Sequence, residues 1–477
     1  MDLLYKKQTD FILARGKGIK ACLFDDESKQ FISNIIPYSR FQENDFFYFD
    51  YITNRDRVPI SDICCIVIMR STNLSMLIEE LSSPFYSSYI VLFTNQIDPF
   101  VLEILAEADR KCLISEIHEI YLDLCKQGAF FYTTNSTRHK RVLDGLSSLI
   151  FSLEIAPVVK AIIVKAIPSD DNSTAKLAKE LIGRSQQYNF RRAGTVVLLR
   201  RGFDMLSPLI CDWHYQSLIS EFLGCDNGIV RIRGKEYSVN DAFFEANRFS
   251  DIQATGDGIK ELVRELERNK IKINNHEFED IEEKAAHSAM VSTHLTIYNT
   301  VLELCMPNKQ LSEMEMEIIR SGVLGHMDGL DDRQQLKLLL LYFVRRVSDW
   351  EEESKKHPKY RERIMKFKNL WRPVDFPYKP TLSSDRDVKL SYEPPLRRIV
   401  KHVILNKTKP GSFDHYDGSS CTDHDGESGP VIIFVEGGVT MAEYRETMLQ
   451  AKKMGAEVYL VSDSIITSRD ILNKLDL

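Results

Sequence analysis

The residues best placed to do chemistry lie near the C-terminus. The stretch PVIIFVEGGVTMAEYRETMLQAKKMGAEVYL (Pro430 to Leu460) reads as a buried strand, a double-glycine turn, an acidic amphipathic helix and a second strand. A glycine turn after a strand can cradle a phosphate on the N-terminus of the next helix. This turn has neither the spaced glycines of a dinucleotide fingerprint nor the lysine of a P-loop. Thr440 followed by Glu443 spells a capping box, which explains the turn without a ligand.

A second cluster, Asp414-His-Tyr-Asp-Gly-Ser-Ser-Cys-Thr-Asp-His-Asp-Gly-Glu427, concentrates residues able to ligate a metal. Its spacing fits neither a zinc site nor an EF-hand, and Gly, Ser and Asp are loop formers, so a surface connection is expected. There is no GxSxG, no HExxH and no Cys/His pair at a telling spacing, and the eleven histidines are scattered. His294, in Ser292-Thr293-His294-Leu295, reads as a packed residue. No catalytic residue, metal or cofactor is expected, and the chain is not expected to be an enzyme.

The 477 residues exceed what one core can organise, which implies two to four domains. A net charge of -7 disfavours a general nucleic-acid binder. The nine cysteines form an odd set and several sit inside apolar runs such as Ile63-Cys64-Cys65-Ile66-Val67, as reduced thiols of a cytosolic protein do. The N-terminus has no secretory pattern. The longest apolar stretch, Leu338 to Val344, falls far short of the roughly 20 residues of a membrane span. A cytoplasmic protein is expected, recruited to membranes only through partners.

Ile19 to Phe24, Phe46 to Ile52, Ile63 to Met69 and Tyr89 to Phe93 read as strands, with helical spacing at Leu74, Leu77, Ile78 and Leu81 and a helix from Pro99 to Ala108. A helix from Lys140, broken near Pro157, a second around Ala175 to Ile182 and a strand at Thr195 to Leu199 begin another α/β domain. After Gly224 the strands give way to charge-rich helices whose alternating charges mark solvated faces.

Two segments carry a resemblance. RRGFDMLSPLICDWHYQSLISEFLG (Arg200 to Gly224) and VIIFVEGGVTMAEYRE are similar to the strand-turn-helix block and the terminal Gly-Gly-Val-Thr block of the SM family, the Sec/Munc-type regulators of SNARE-mediated vesicle fusion. Echoes at FFYFDYITNRDRVPISDICCIVIMRSTNLSMLIEEL, YIVLFTN, STHL, KLLLLYFV and YEPPLRRIVKHVILNKTKPGSFDHY follow in the family's order. The chain departs from the pattern at Arg200, where the family turn has Asp, at Pro37, where a basic cleft residue is common, and at Asp50, which stands for Glu.

The resemblance implies the SM fold: a three-domain arch with two parallel-sheet α/β domains and a mostly helical inserted domain. The domains would be 1–127, then 128–224 with 391–477, then 225–390 carrying a helical hairpin at Asp280 to Arg320. It implies a monomer that binds a syntaxin-type Qa-SNARE and an R-SNARE or assembled SNARE bundle, with no nucleic acid. Asp25, Lys29, Asp50 and Arg55 would line a SNARE cleft. Ile97, Leu102, Ile114 and Ile117 would form a pocket for the SNARE's N-terminal peptide, with Glu119 taking its basic residue. Arg201, Asp204, Pro208, Gly437, Gly438 and Glu443 would form the structural motif.

The function implied is a chaperone of SNARE assembly in vesicle docking and fusion, with the YEPPLRRIV and SFDHY stretches leaning toward exocytosis. The alternatives are an SM-like scaffold in a tethering complex at the Golgi, endosome or vacuole, and a nucleotide-dependent α/β enzyme using the Gly-Gly-Val-Thr turn.

Overall fold

The structure is a computed structural model that describes residues 3–161, 173–188, 192–226, 228–272, 281–373, 377–378, 381–383, 391–407, 413–416 and 429–476. Asp280 and most of the polar loop, Asp417 to Glu427 with Cys421, lie outside the described residues. The chain divides into two compact units: Met1–Leu199 with Phe413–Glu436 and Ala456–Ser464, and Arg200–Ser412 with Gly437–Gly455 and Ile465–Leu477.

In the first unit, β1 (Lys20–Phe24), β2 (Phe46–Tyr51), β3 (Ile60–Met69), β4 (Tyr86–Phe93) and β5 (Ile114–Glu119) form a parallel sheet in the order β2-β1-β3-β4-β5. The inner strands β1, β3 and β4 are covered on both faces, so their sequences run apolar without alternation, whereas the edge strands β2 and β5 are only partly buried. Ala21, Leu23, Cys65, Val67 and Val91 face one core with Leu77 and Leu105, while Cys22, Phe24, Ile66, Ile68 and Leu92 face the other with Ile12 and Ile32. Cys22 and Cys65 pack as small hydrophobes, and burial pushes both thiols well up from their ordinary range.

Further along the chain come β6 (Cys125–Gly128), β7 (Phe131–Thr133), β8 (Ile155–Ala161), β9 (Arg192–Arg200), β10 (Ile229–Ile232), β11 (Lys235–Ser238), β12 (Thr381–Ser383), β13 (Ser391–Glu393), β14 (Asp414–Tyr416), β15 (Val431–Glu436) and β16 (Val458–Ser462). Seven of them build a second sheet in the order β14-β8-β9-β15-β16-β7-β6. The C-terminal strands β15 and β16 therefore sit in its middle, each buried along nearly its whole length. The helix His139–Leu153 ends at Glu154 in the left-handed region (φ 54°), three residues before Pro157, which lies within β8.

The second unit is mainly helical, with two antiparallel strand pairs, β10–β11 and β12–β13, which the sequence reading had not anticipated after Gly224. One of its cores gathers Tyr215, Leu218, Val230, Phe243, Ile259, Ile297 and Val301. Another gathers Leu209, Leu311, Ile318, Leu336 to Leu341 without Lys337, Trp350 and Phe367.

These cores relocate the helical pair. The helix Ile281–Cys305 packs on Ile252–Lys272 through Ile297, Val301 and Ile259, and a side chain at Gly256 would collide with Tyr298. The next helix, Lys309–Ser321, instead joins Asp332–Arg346 in the other core. The expected hairpin at 280–320 is thus two helices serving different cores, because Met306–Asn308 forms a 3-10 turn between them.

Candidate functional site

The strand-turn-helix motif forms a buried network within the second unit. Arg201, in the 3-10 turn Arg201–Phe203, donates from Nη1 to Glu443 Oε2 and from Nη2 to Glu443 Oε1, each at 2.8 Å, and Nη1 also donates to the Gly438 carbonyl at 3.0 Å. Asp204 Oδ1 accepts from the amides of Leu206 (3.0 Å) and Ser207 (3.1 Å), and the Ser207 hydroxyl donates to Oδ2. Tyr392, absent from the sequence expectation, brings its hydroxyl to 3.1 Å from that of Ser207. Pro208 opens the following 3-10 turn, Ser207–Leu209. Burial opposes the Arg201 charge, but Glu443 and then Asp204 outweigh it, and burial pushes the Asp204 carboxyl up.

The glycines have a steric reason. Gly437 and Gly438 adopt φ of 97° and 101°, and a Cβ on Gly437 would sit 2.7 Å from Cβ of Arg201. Thr440 and Glu443 form the expected capping box: the Glu443 amide donates to Thr440 Oγ1 at 3.1 Å and the Thr440 amide to Glu443 Oε2 at 3.0 Å. A phosphate at this helix N-terminus would meet the Glu443 carboxylate already bonded to Thr440. Despite the Arg200 departure, all six motif residues serve one compact turn region.

The four cleft candidates sit at the C-terminal ends of β1 and β2, which lie side by side with Leu23 opposite Asp50. Asp25 is not a surface charge. It is 1% exposed, caps the helix Asp26–Ser33 through the Ser28 amide (2.7 Å), and accepts from the Arg70 amide (2.9 Å) and Asn73 Nδ2 (2.7 Å). Its oxygens are committed to holding the end of β1 to the segment after β3.

Arg55 is likewise engaged. It pairs with buried Glu80, which also pairs with Arg57 and accepts from the Tyr89 hydroxyl at 2.6 Å, and it donates to the Ser83 carbonyl at 2.7 Å. Asp50 accepts from the Tyr48 hydroxyl (2.6 Å), the Tyr51 amide (2.7 Å) and Asn54 (2.8 Å). Burial works against its charge, yet these bonds and Arg57 hold the carboxyl below its ordinary range. Lys29 is exposed, with Nζ 4.0 Å above the Tyr51 ring. Pro37 begins the helix Tyr38–Gln42 as its N-cap residue.

The peptide-pocket candidates gather around the helix Pro99–Ala108 and β5. Asp98 caps that helix and Pro99 occupies its first turn, as expected. Ile97, Ile114 and Ile117 are partly buried against the core beneath the helix, and Leu102 is 42% exposed. Its neighbour Phe100, 64% exposed, was missed, although it stands next to Pro99 on the helix's first turn. Glu119 does not project freely: Oε1 accepts from the Ile97 amide at 2.8 Å and Oε2 from the Tyr121 hydroxyl at 2.6 Å. It lines a cleft of about 370 Å³ with Phe11, Tyr121, Phe151, Glu154 and Tyr188.

In the second unit His294 is fully buried, as its packed reading anticipated. Nδ1 lies 3.0 Å from the Tyr215 hydroxyl and Nε2 lies 2.9 Å from Asp241, which caps the helix Ala242–Asn247. Burial lowers its pKa, with Asp241 opposing. The adjacent Leu295 is 40% exposed, and Met306 at the helix end 53%.

Residues 20–474 match the family model described as the Sec1 family. The chain belongs to the Sec1 family. Among Sec1-family relatives it is 23% identical over 503 residues to "Vacuolar protein sorting-associated protein 45" of Homo sapiens, covering 90% of this chain and 87% of that protein. A solved structure described as "SM Protein Vps45 in Complex with Qa SNARE Tlg2 (1-310)" superposes with a TM-score of 0.83 at 18% identity, covering 100% of this chain and 98% of the other. "Crystal structure of Sly1p in complex with an N-terminal peptide of Sed5p" gives 0.78 at 16% identity, covering 100% and 93%. The SM fold expected from the sequence is the fold of this chain. Among the described residues no helix is long and apolar enough to cross a membrane.

Proposed function

We propose that this Sec1-family chain binds a syntaxin-type Qa-SNARE and chaperones SNARE assembly, in a vacuolar protein-sorting step. The observation that carries the reading is the full-length likeness to SM proteins solved with a Qa SNARE and with a SNARE N-terminal peptide. The sequence lean toward exocytosis gives way here, because the curated relatives carry vacuolar sorting names. That shift favours the compartments of the alternative weighed above.

The peptide contact is assigned to Leu102 with Ile97, Ile114 and Ile117, where an exposed leucine borders a partly covered core. Short peptides bind such surfaces by seating one or two apolar anchors. Lys29 and Asp50 are the cleft residues retained for the SNARE bundle. The three-domain division at 127, 224 and 390 is kept as part of this proposal, with peripheral recruitment to membranes through SNAREs. No bond chemistry is assigned, since the Gly-Gly-Val-Thr turn is closed by Glu443.

The deciding experiment measures affinity of the purified chain for the host's Qa-SNAREs, each with and without its N-terminal segment. Leu102→Arg should weaken binding of the complete SNARE about tenfold, roughly 1.4 kcal/mol, and leave the shortened one unchanged. Equal effects on both would remove the pocket. Capture of a tethering complex with no SNARE bound would favour the scaffold.

A further inference from the structure

The segment Arg345-Arg346-Val347-Ser348-Asp349-Trp350-Glu351-Glu352-Glu353 connects the helix Asp332–Arg346 to the short helix Trp350–Ser354. Val347 (φ -88°, ψ 122°) and Asp349 (φ -104°, ψ 92°) are both extended, and the chain bends at Ser348 between the two helices. Ser348 is exposed, as are Arg345, Arg346, Glu351 and Glu352.

Its hydroxyl has no structural task. The second helix is capped by Asp349, whose Oδ1 accepts from the amides of Glu351 and Glu352 at 3.1 Å each, and among the described residues Ser348 has no hydrogen-bond partner. The serine thus offers a free, solvent-facing oxygen at a bend in an exposed connection between two helices, where a modifying enzyme can reach it. Its flanks are strongly charged: two guanidinium groups precede it, and carboxylates follow one, three, four and five residues later.

We propose that Ser348 is a phosphorylation site. In the step, Ser348 Oγ gives its proton to a carboxylate base of the kinase and bonds to the γ-phosphorus of ATP. The bond from that phosphorus to the β–γ bridging oxygen breaks, and ADP leaves. The product carries about -1.5 to -2 charges at neutral pH, beside Asp349 and Glu351 and within one helical turn of Arg345 and Arg346. That modification recharges the surface next to Trp350, which is buried and stacks on Phe367 with parallel rings 6.0 Å apart.

The structure supplies an internal control. Ser312 is also followed by glutamates one and three residues on, but it is 7% exposed and its hydroxyl accepts from Trp213 Nε1 at 2.8 Å. A rule that reads downstream acids treats the two serines alike, whereas accessibility separates them; Ser312 has no arginine in the preceding seven residues.

The test incubates the native full chain with ATP and, in separate arms, a kinase directed by upstream arginines and one directed by downstream acids, followed by site-resolved mass spectrometry. Phosphate approaching one per chain at Ser348 in either arm is expected, abolished in Ser348→Ala, retained in Ser348→Thr and absent from Ser312. The arms identify which flank is read. Failure of both arms to modify Ser348, or equal labelling of Ser312, would overturn the proposal.

Discussion

Arg201 and Glu443 form a buried two-pronged ion pair across 242 residues of sequence, with both contacts at 2.8 Å. The carboxylate simultaneously closes the capping box of its own helix, so one side chain joins a turn to a helix N-terminus. Removing one partner of a buried pair strands the other charge without water.

Arg201→Met should therefore destabilise the second unit by about 3–5 kcal/mol, since Glu443 and Asp204 are left uncompensated. The three tryptophans, Trp213, Trp350 and Trp371, all lie in that unit. Urea unfolding followed by their fluorescence reads the change directly. The double variant Arg201→Met, Glu443→Met should recover part of the loss. A single variant within about 0.5 kcal/mol of the parent would contradict the assignment.

Asp25 and Lys29, four residues apart in sequence, should respond in different ways. Asp25→Ala removes a cap and the acceptor for the Arg70 amide, and should cost about 1–3 kcal/mol of stability. Lys29→Glu alters an exposed charge and should shift stability by no more than about 0.5 kcal/mol while weakening SNARE binding, most visibly at low salt. Paired melting and binding curves separate the two, and unchanged binding in the Lys29 variant would remove it from the cleft.

A pH response follows from His294. Its pKa in the folded chain lies below the ordinary 6.5 because burial disfavours the charged ring. The unfolded chain takes up the proton first, so this contribution to stability is present above about pH 6.5 and is lost as the pH falls below it. Melting temperatures measured from pH 7.5 to 5 should decline, and more steeply than in His294→Gln. Parallel slopes would show that the histidine is not the titrating group.

The exposed Leu295 separates binding from assembly. If the helix Ile281–Cys305 guides a second SNARE, Leu295→Arg should leave Qa-SNARE affinity unchanged and reduce acceleration of liposome fusion several-fold. Full acceleration in the variant would exclude this face of the helix from the templating role.

Much of this was legible from local signals. The capping box at Thr440 and Glu443, the helix opened by Pro99 and the buried runs of β1, β3 and β4 are written in short-range spacing and composition, which act wherever the chain goes. The misses share one cause, dependence on distant partners. Asp25 looks like any surface acid until the Arg70 amide and Asn73 reach it, and Arg55 until Glu80 is found beneath it. The helical hairpin was misplaced because Ile281–Cys305 and Lys309–Ser321 are both good helices in sequence, and only tertiary packing decides which neighbour each takes. Phe131–Thr133 is too short to announce itself as a strand, yet it pairs with β16.

The place of β15 and β16 in the middle of the seven-stranded sheet has a consequence for biogenesis. While the ribosome is still adding residues before Val431, the emerging protein holds β9 and β7 with the gap between them unfilled. Exposed strand edges of that kind recruit wrong neighbours. The nascent polypeptide must therefore be shielded until Ser462 has been added, and a premature stop codon before Val431 would take the middle out of a sheet.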